Sequence, residues 1–256
     1  MVRKIVMLGG FRADGNAEPA IQMTPLSRAF ASAPGLSVLL DPEFRTADGG
    51  ANNLAAAGSV AANNSSGTGA GTGSFANGAP GFQATDANQA QFISPVDLNR
   101  SAWSVMWVTN IVARTGGVHL ALGPIGDSDN GPSLPRVGFQ GNDGTVFAAN
   151  EGHSNAFDGR FLAFKPTPTL IGRTVVSTWT CSGGTMRFFL NGEQRAEAPA
   201  PTFNRKHLAG DFCFMRYARG LIGNLALFAS DLSSADMRQH HQRITDFLMQ
   251  KYGIIA

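Results

Sequence analysis

The sequence predicts an all-β chain, an antiparallel two-sheet sandwich with one C-terminal α-helix. Three observations predict it. Short runs rich in Val, Phe, Trp and Thr recur from residue 91 onward, separated by Gly, Asn, Asp and Pro clusters. Three tight-turn signals, Asn142-Asp143-Gly144, Ser182-Gly183-Gly184 and Asn191-Gly192, supply the positive φ that hairpins require. Glycine is 31 of 256 residues, well above the usual ~7%, while charged residues are 15% against about 25% expected. Such spacing of short strands argues against alternating strand-helix units.

Residues 1–35 alternate short apolar pieces, Ile5 to Leu8 and Ile21 to Met23, with breakers at Pro19, Pro25, Pro34 and Gly35. They read as an extended N-terminal arm holding one short helix around Leu26 to Ala31. Residues 36–44 form the first strand candidate, stopped by Pro42. From Gly49 to Thr85 there is no charged residue, and Phe75 and Phe82 are the only aromatics. That composition predicts a long loop or flexible insert, because it offers little apolar surface to bury. Its Gly67 to Gly73 run lacks the Gly-Lys-Ser/Thr of a phosphate loop and the flanking strand and helix of a dinucleotide fingerprint.

The regular part then begins. Strands are expected at Gln91–Ile93, Trp103–Val112, His119–Gly123, Arg136–Gln140, Thr145–Ala149, Phe161–Phe164, Arg173–Cys181, Met186–Leu190, Asp211–Tyr217 and Leu221–Phe228. A helix is expected over 234–251, N-capped by Ser233, with Met237, Ile244, Phe247 and Leu248 as its apolar stripe. Lys251 suits the helix dipole at its last turn, and Gly253 supplies the stop.

Charge and composition also exclude. Lys+Arg 20 against Asp+Glu 18 gives a net charge of +2, too weak for bulk capture of nucleic acid. No run approaches the roughly 20 apolar residues that span a bilayer, and Ile5 to Leu8 is too short for a signal core, so a chain made in the cytoplasm is expected. Two cysteines, Cys181 and Cys213, give no disulfide framework; a buried free thiol and a single bridge both stay open.

The residues offer no catalytic constellation. There are five glutamates, and Glu193 and Glu197 would stand about 13 Å apart on one strand, too far for paired-carboxylate glycoside hydrolysis. His119, His153, His207, His240 and His241 lack ligand spacing, and His240-His241 reads as a solvent-facing pair. Asp127, Asp129 and Asn130 before Gly131 look like the start of a calcium loop but lack its closing glutamate, so no cofactor is expected. Arg205-Lys206-His207 with Arg216 and Arg219 reads as a solvated basic face. Trp103, Trp107 and Trp179 fall inside strand patterns and are expected in the core rather than stacked on sugars.

The second half resembles a known family. Trp103-Ser-Val-Met-Trp-Val, Val175-Val-Ser-Thr-Trp-Thr, Gly184-Thr-Met-Arg-Phe-Phe-Leu-Asn191-Gly192, and Gly220-Leu-Ile-Gly223 followed by Asp231-Leu232-Ser-Ser-Ala-Asp236 resemble the strands and closing segment of concanavalin A-like lectin/glucanase (laminin-G-like) jelly rolls. Phe247-Leu248 with Lys251-Tyr252-Gly253-Ile254 resembles the ending of bacterial and phage members. The resemblance covers residues 36–256, so a jelly-roll domain is expected there with the insert at about 49–85. It lacks the glucanases' Glu-x-Asp-x-Glu strand. The resemblance is specific for fold. The phage-like ending, taken with the missing chemistry, the cytoplasmic character and the N-terminal arm, leads to the expectation of a non-enzymatic structural or interaction subunit of a bacteriophage virion, assembled in the host cytoplasm on capsid or tail partners and itself able to form homo-oligomers. The alternative it implies is a lectin module for surface glycans. Residues 1–35 and 49–85 are surplus to such a core. Ile5, Val6, Met7 and Leu8 are expected to clamp a partner, with Phe75 and Phe82 anchoring the insert on it; neither nucleic acid nor membrane is expected as a partner.

Overall fold

The fold is taken from a computed structural model, which describes residues 24–46, 50–55, 60–63, 70–85, 92–97, 102–115, 117–124, 135–150, 160–199, 209–215 and 217–255. Ile5 to Leu8, Asp127, Asp129, Asn130, His153, Arg205 to His207 and Arg216 lie outside the described residues.

Two antiparallel sheets form the expected sandwich. The first runs β2 (Ala51–Asn53), β1 (Leu36–Arg45), β16 (Gly220–Phe228), β7 (Ala102–Ile111), β12 (Thr174–Ser182), β13 (Thr185–Leu190), β14 (Glu193–Pro199). The second runs β11 (Arg160–Phe164), β10 (Val146–Asn150), β9 (Pro135–Gln140), β8 (Val118–Pro124), β15 (Ala209–Phe214), β6 (Phe92–Asp97), β3 (Val60–Asn63). Pairing of Ala51 with Ala61 joins the two sheets at one edge.

Central strands of the first sheet are buried on both faces, so they read as nearly continuous apolar runs instead of alternating ones. Inward, Trp103, Val105 and Trp107 of β7, Val175 and Trp179 of β12, and Ile222, Leu225 and Leu227 of β16 meet Phe139, Val146 and Phe188 between the sheets. All three tryptophans are core residues, as expected. Phe139 lies 5.4 Å from Trp107 and 5.3 Å from Trp179, ring centre to ring centre. Outward, Leu39, Met106, Val108, Val176 and Phe228 are covered by two helices, α1 (Pro25–Ser32) and α2 (Arg238–Tyr252).

Helix α1 falls where expected, capped by Thr24, whose hydroxyl accepts the Ser27 N–H at 3.1 Å. It is no part of a free arm: Ala29 and Phe30 are buried, and Phe30 stacks on Phe228 at 6.4 Å. Helix α2 begins four residues later than expected. The Ser233 hydroxyl donates to the Asp231 carboxylate at 2.5 Å and pairs with Thr180 at 3.1 Å, so it is not available as a cap. The Asp231 carboxylate also accepts the Ser233 N–H at 2.8 Å, holding an Asx turn where the helix was expected. Gly253 ends α2 with φ 64°, as the sequence indicated.

The uncharged stretch departs most from expectation. Instead of one long loop, its described parts include β2, β3, β4 (Gly71–Ser74) and β5 (Pro80–Ala84). β5 pairs with the beginning of β16, and β4 with β5. Small residues are what the site demands: a Cβ on Gly73 would come within 2.5 Å of the Leu221 side chain, and one on Gly81 within 2.9 Å of Phe75. Phe75 and Phe82, expected to face a partner, are instead buried in this chain, because as the only aromatics of the stretch they carry its largest apolar side chains. Phe75 meets Tyr252 edge-on at 4.7 Å, and Phe82 packs on Phe92 at 5.0 Å. Nor does Pro42 stop β1. The strand runs on to Arg45, and its ladder with β2 is interrupted between Leu40 and Arg45, around the residue that has no N–H to give.

Candidate functional site

The strand ends near β7, β5 and β16 converge on a corner where the backbone is held in unusual conformations. Met215 and Tyr217 both adopt φ 58°, a left-handed conformation that side chains rarely take. Gly220 follows at φ 111°, and a Cβ there would stand 2.2 Å from the Asn110 carbonyl, so the close approach of β16 to β7 requires glycine. Val112 N–H donates to Arg219 O at 3.2 Å, and Ala218 N–H to Met215 O at 3.2 Å, closing the turn. Non-glycine residues held in this region concentrate at functional sites.

Two arginines converge on this corner. The Arg114 guanidinium lies 5.7 Å from the Tyr217 ring centre and donates to Tyr217 O at 3.4 Å. Arg219 is buried, with its guanidinium donating to Ala218 O at 2.8 Å. Its backbone N–H donates to His119 Nδ1 at 3.1 Å. Burial, then Arg114 and Arg219, lower the His119 pKa to about 4, so the ring is neutral at physiological pH. Beside them opens a cleft of about 590 Å³, lined by Gln83, Thr85, Val112, Arg114, Thr115 and Arg219 among others. Among the described residues, no carboxylate lines it. Val112, one of two large apolar side chains exposed among the described residues, stands on it at 49% exposure. The cleft therefore presents cationic and amide groups beside an apolar patch, a set that suits a polar ligand bearing negative charge.

A second cleft, of about 500 Å³, lies where α2 meets the edge of the first sheet and is lined by Ser182, Arg187, Gln194, Asp231, Arg238 and Gln242 among others. Its acid is fully engaged. The Ser182 and Ser233 hydroxyls and the Ser233 N–H donate to Asp231, and Arg187 Nη1 lies 3.8 Å away. Burial opposes ionisation of Asp231, but these donors outweigh it and hold the carboxyl below its usual range. This cluster ties β12 and β13 to the turn that leads into α2.

Other sequence candidates resolve as follows. Glu193 pairs with Arg195, and Glu197 with Arg187 at 2.9 Å, all on the β13–β14 hairpin. His241 is not solvent-facing. It is buried against Thr178, with Nε2 3.2 Å from the hydroxyl, and edge-on to Phe189 at 4.9 Å, because it falls on the inward stripe of α2 with Ile244, Thr245, Leu248 and Tyr252. Arg219 likewise leaves the expected solvated basic face. Cys181 is a free thiol whose pKa is pushed up to about 12, chiefly by burial and then by Asp231, so it is not a nucleophile. No group of three metal-ligating side chains occurs among the described residues. No helix among them is long and apolar enough to cross a membrane. Sequence reasoning missed the cleft because residues 83–85, 112–115 and 217–220 meet only in the fold; the one signal was Gly220 at the head of an apolar strand.

No family model matches the chain, and no curated protein matches it in sequence. Solved structures do match. One is of botulinum neurotoxin type C, which depends on two ganglioside molecules to enter cells: TM-score 0.57, 12% identity, 82% of this chain and 51% of that one covered. The serotype D binding domain gives a TM-score of 0.55 at 11% identity, over 86% of this chain and 53% of that one. The binding domain of neurotoxin DC, in complex with rat synaptotagmin II, gives 0.56 at 11% identity, over 82% and 52%. The likeness is one of fold. This chain spans about half the length of those chains, two of which are neurotoxin binding domains.

Proposed function

We propose that the chain is a non-enzymatic recognition module that binds an acidic glycan in the corner cleft. The observation that carries this is the cleft itself, where the described lining brings Arg114 and Arg219 beside Gln83, Thr85 and the exposed Val112. Saccharide acids offer a planar carboxylate that a guanidinium meets with two parallel hydrogen bonds, and hydroxyls that amide side chains such as Gln83 satisfy. Val112 gives an apolar surface for the C–H face of a ring. Fold likeness to binding domains of toxins supports a recognition role over a catalytic one. The paired, exposed state of Glu193 and Glu197 supports the same choice. In this proposal the module belongs to a bacteriophage virion, as the ending of the sequence implied, and recognises surface glycans there.

A glycan array carrying sialylated, uronic-acid and neutral saccharides tests the binding. Acidic glycans are expected to bind, with Arg114→Gln reducing affinity at least tenfold while the melting temperature holds. Equal retention of neutral glycans, or unchanged affinity in Arg114→Gln, overturns the reading. Mass spectrometry of purified particles, with copy number, tests the virion setting independently.

A further inference from the structure

Between the sheets lies a second polar feature, separate from the cleft. Trp107 Nε1, Thr109 Oγ1, Ser177 Oγ, Trp179 Nε1 and His119 Nε2 are buried and have no hydrogen-bond partner within the protein. Strand register puts all five on the inner faces. Ser177 pairs directly with Trp107, and Thr109 with Val175, so each hydroxyl points to the same side as an inter-sheet core residue. Trp179 is two residues beyond Ser177 on β12. His119 pairs with Phe139 on the facing sheet, and Phe139 stands within 5.4 Å of Trp107 and 5.3 Å of Trp179. The five side chains thus lie on facing inner surfaces of the two sheets, around Phe139.

Their chemistry is lopsided. An indole N–H only donates. His119 Nδ1 accepts the Arg219 N–H, so the ring proton of the neutral imidazole sits on Nε2, which also donates. Three obligatory donors and two hydroxyls, which both donate and accept, therefore stand in the inter-sheet core, and none of the five is within hydrogen-bond distance of a protein partner. A buried donor without a partner forfeits the hydration it had in the unfolded chain, and native proteins meet such groups with ordered water, which accepts two hydrogen bonds and donates two.

We infer that the inter-sheet core binds internal water, held by the Trp107 and Trp179 indoles, the Ser177 and Thr109 hydroxyls and His119 Nε2. Water there has a further effect at the surface: by accepting from Nε2–H it fixes the His119 tautomer whose Nδ1 receives the Arg219 N–H, and so steadies the turn of residues 215–220 that forms the corner cleft.

Water-selective NMR of the full chain tests this on the three indole N–H resonances. Cross-peaks of the sign given by long-lived bound water are expected at Trp107 and Trp179. They should weaken severalfold in Ser177→Ala. Thr109→Val, which keeps the shape and removes the hydroxyl, provides a second variant should the first fail to fold. Absence of water cross-peaks at both indoles in the unsubstituted protein overturns the inference, as does an unchanged pair of cross-peaks in both variants.

Discussion

Trp179 shows how much one side chain carries. It is fully buried and sits beside Trp107, Phe139 and Phe188 at 6.3, 5.3 and 5.1 Å. Trp179→Ala should cost roughly 3–5 kcal/mol in urea unfolding, the usual range for truncating a buried aromatic. Tyr252 has a different role. Its hydroxyl donates to Asn224 Oδ1 at 2.7 Å and accepts the Asn224 N–H at 2.9 Å, and burial pushes its pKa well above the ordinary tyrosine value. The ring fits only because residue 223 is glycine: a Cβ there would stand 2.5 Å from Tyr252 Cζ. Gly223→Ala should therefore loosen the end of α2 and lower the melting temperature by several degrees, whereas Gly78→Ala, where a Cβ meets nothing within 4 Å, should act only through its φ of 85°. Differential scanning calorimetry of the two variants separates packing from backbone strain.

At the scale of elements, the two helices hold one face of one sheet. α2 is fastened at its C-terminal end: Lys251 reaches both Asp41 oxygens at 3.1 Å and Glu43 at 2.9 Å, which places a cation at the helix end and joins it to β1. α1 adds Phe30 to the same layer. Deleting residues 1–35 removes this helix and uncovers Phe228, so that truncation should lower stability by about 2–5 kcal/mol compared with deletion of residues 1–23, which leaves α1 whole. Chemical denaturation of the two truncated chains checks this. An equal midpoint for both would mean that α1 does not stabilise the sandwich.

For the molecule as a whole, acid sensitivity follows from two buried imidazoles. His119 and His241 titrate at about 4 in the folded chain against 6.5 in a free one. For His119 burial is the main cause, followed by Arg114 and Arg219; for His241 burial outweighs the opposing pull of Asp231. Protons therefore bind the unfolded chain more readily throughout that window. Stability is full above about pH 6.5 and is lost progressively as pH falls to about 4, by up to roughly 3 kcal/mol per histidine. Urea midpoints measured from pH 7 to pH 4 should fall, and His241→Gln should flatten part of the slope. A flat profile would mean that neither ring is shielded from protons.

By itself the sequence determined the all-β class, the turns and the buried tryptophans. Asn191 and Gly192 take φ 51° and 86°, and Gly183, Gly144 and Gly253 are all left-handed where the turn chemistry required it. Local rules of this kind act over a few residues, so they can be read directly. What only the tertiary structure decided depends on partners distant in the chain. The small residues of 70–85 make strands because β16 offers them an edge and Phe75 and Phe82 find a core there. Ser233 gives up its cap because Asp231 competes for it, and His241 is buried because α2 docks with that face inward. Beyond Gly220 the cleft has no local signature: the burial of Arg219, the stacking of Arg114 and the strain at Tyr217 arise only when three separate strand ends share one corner, a free energy that no short stretch of sequence contains.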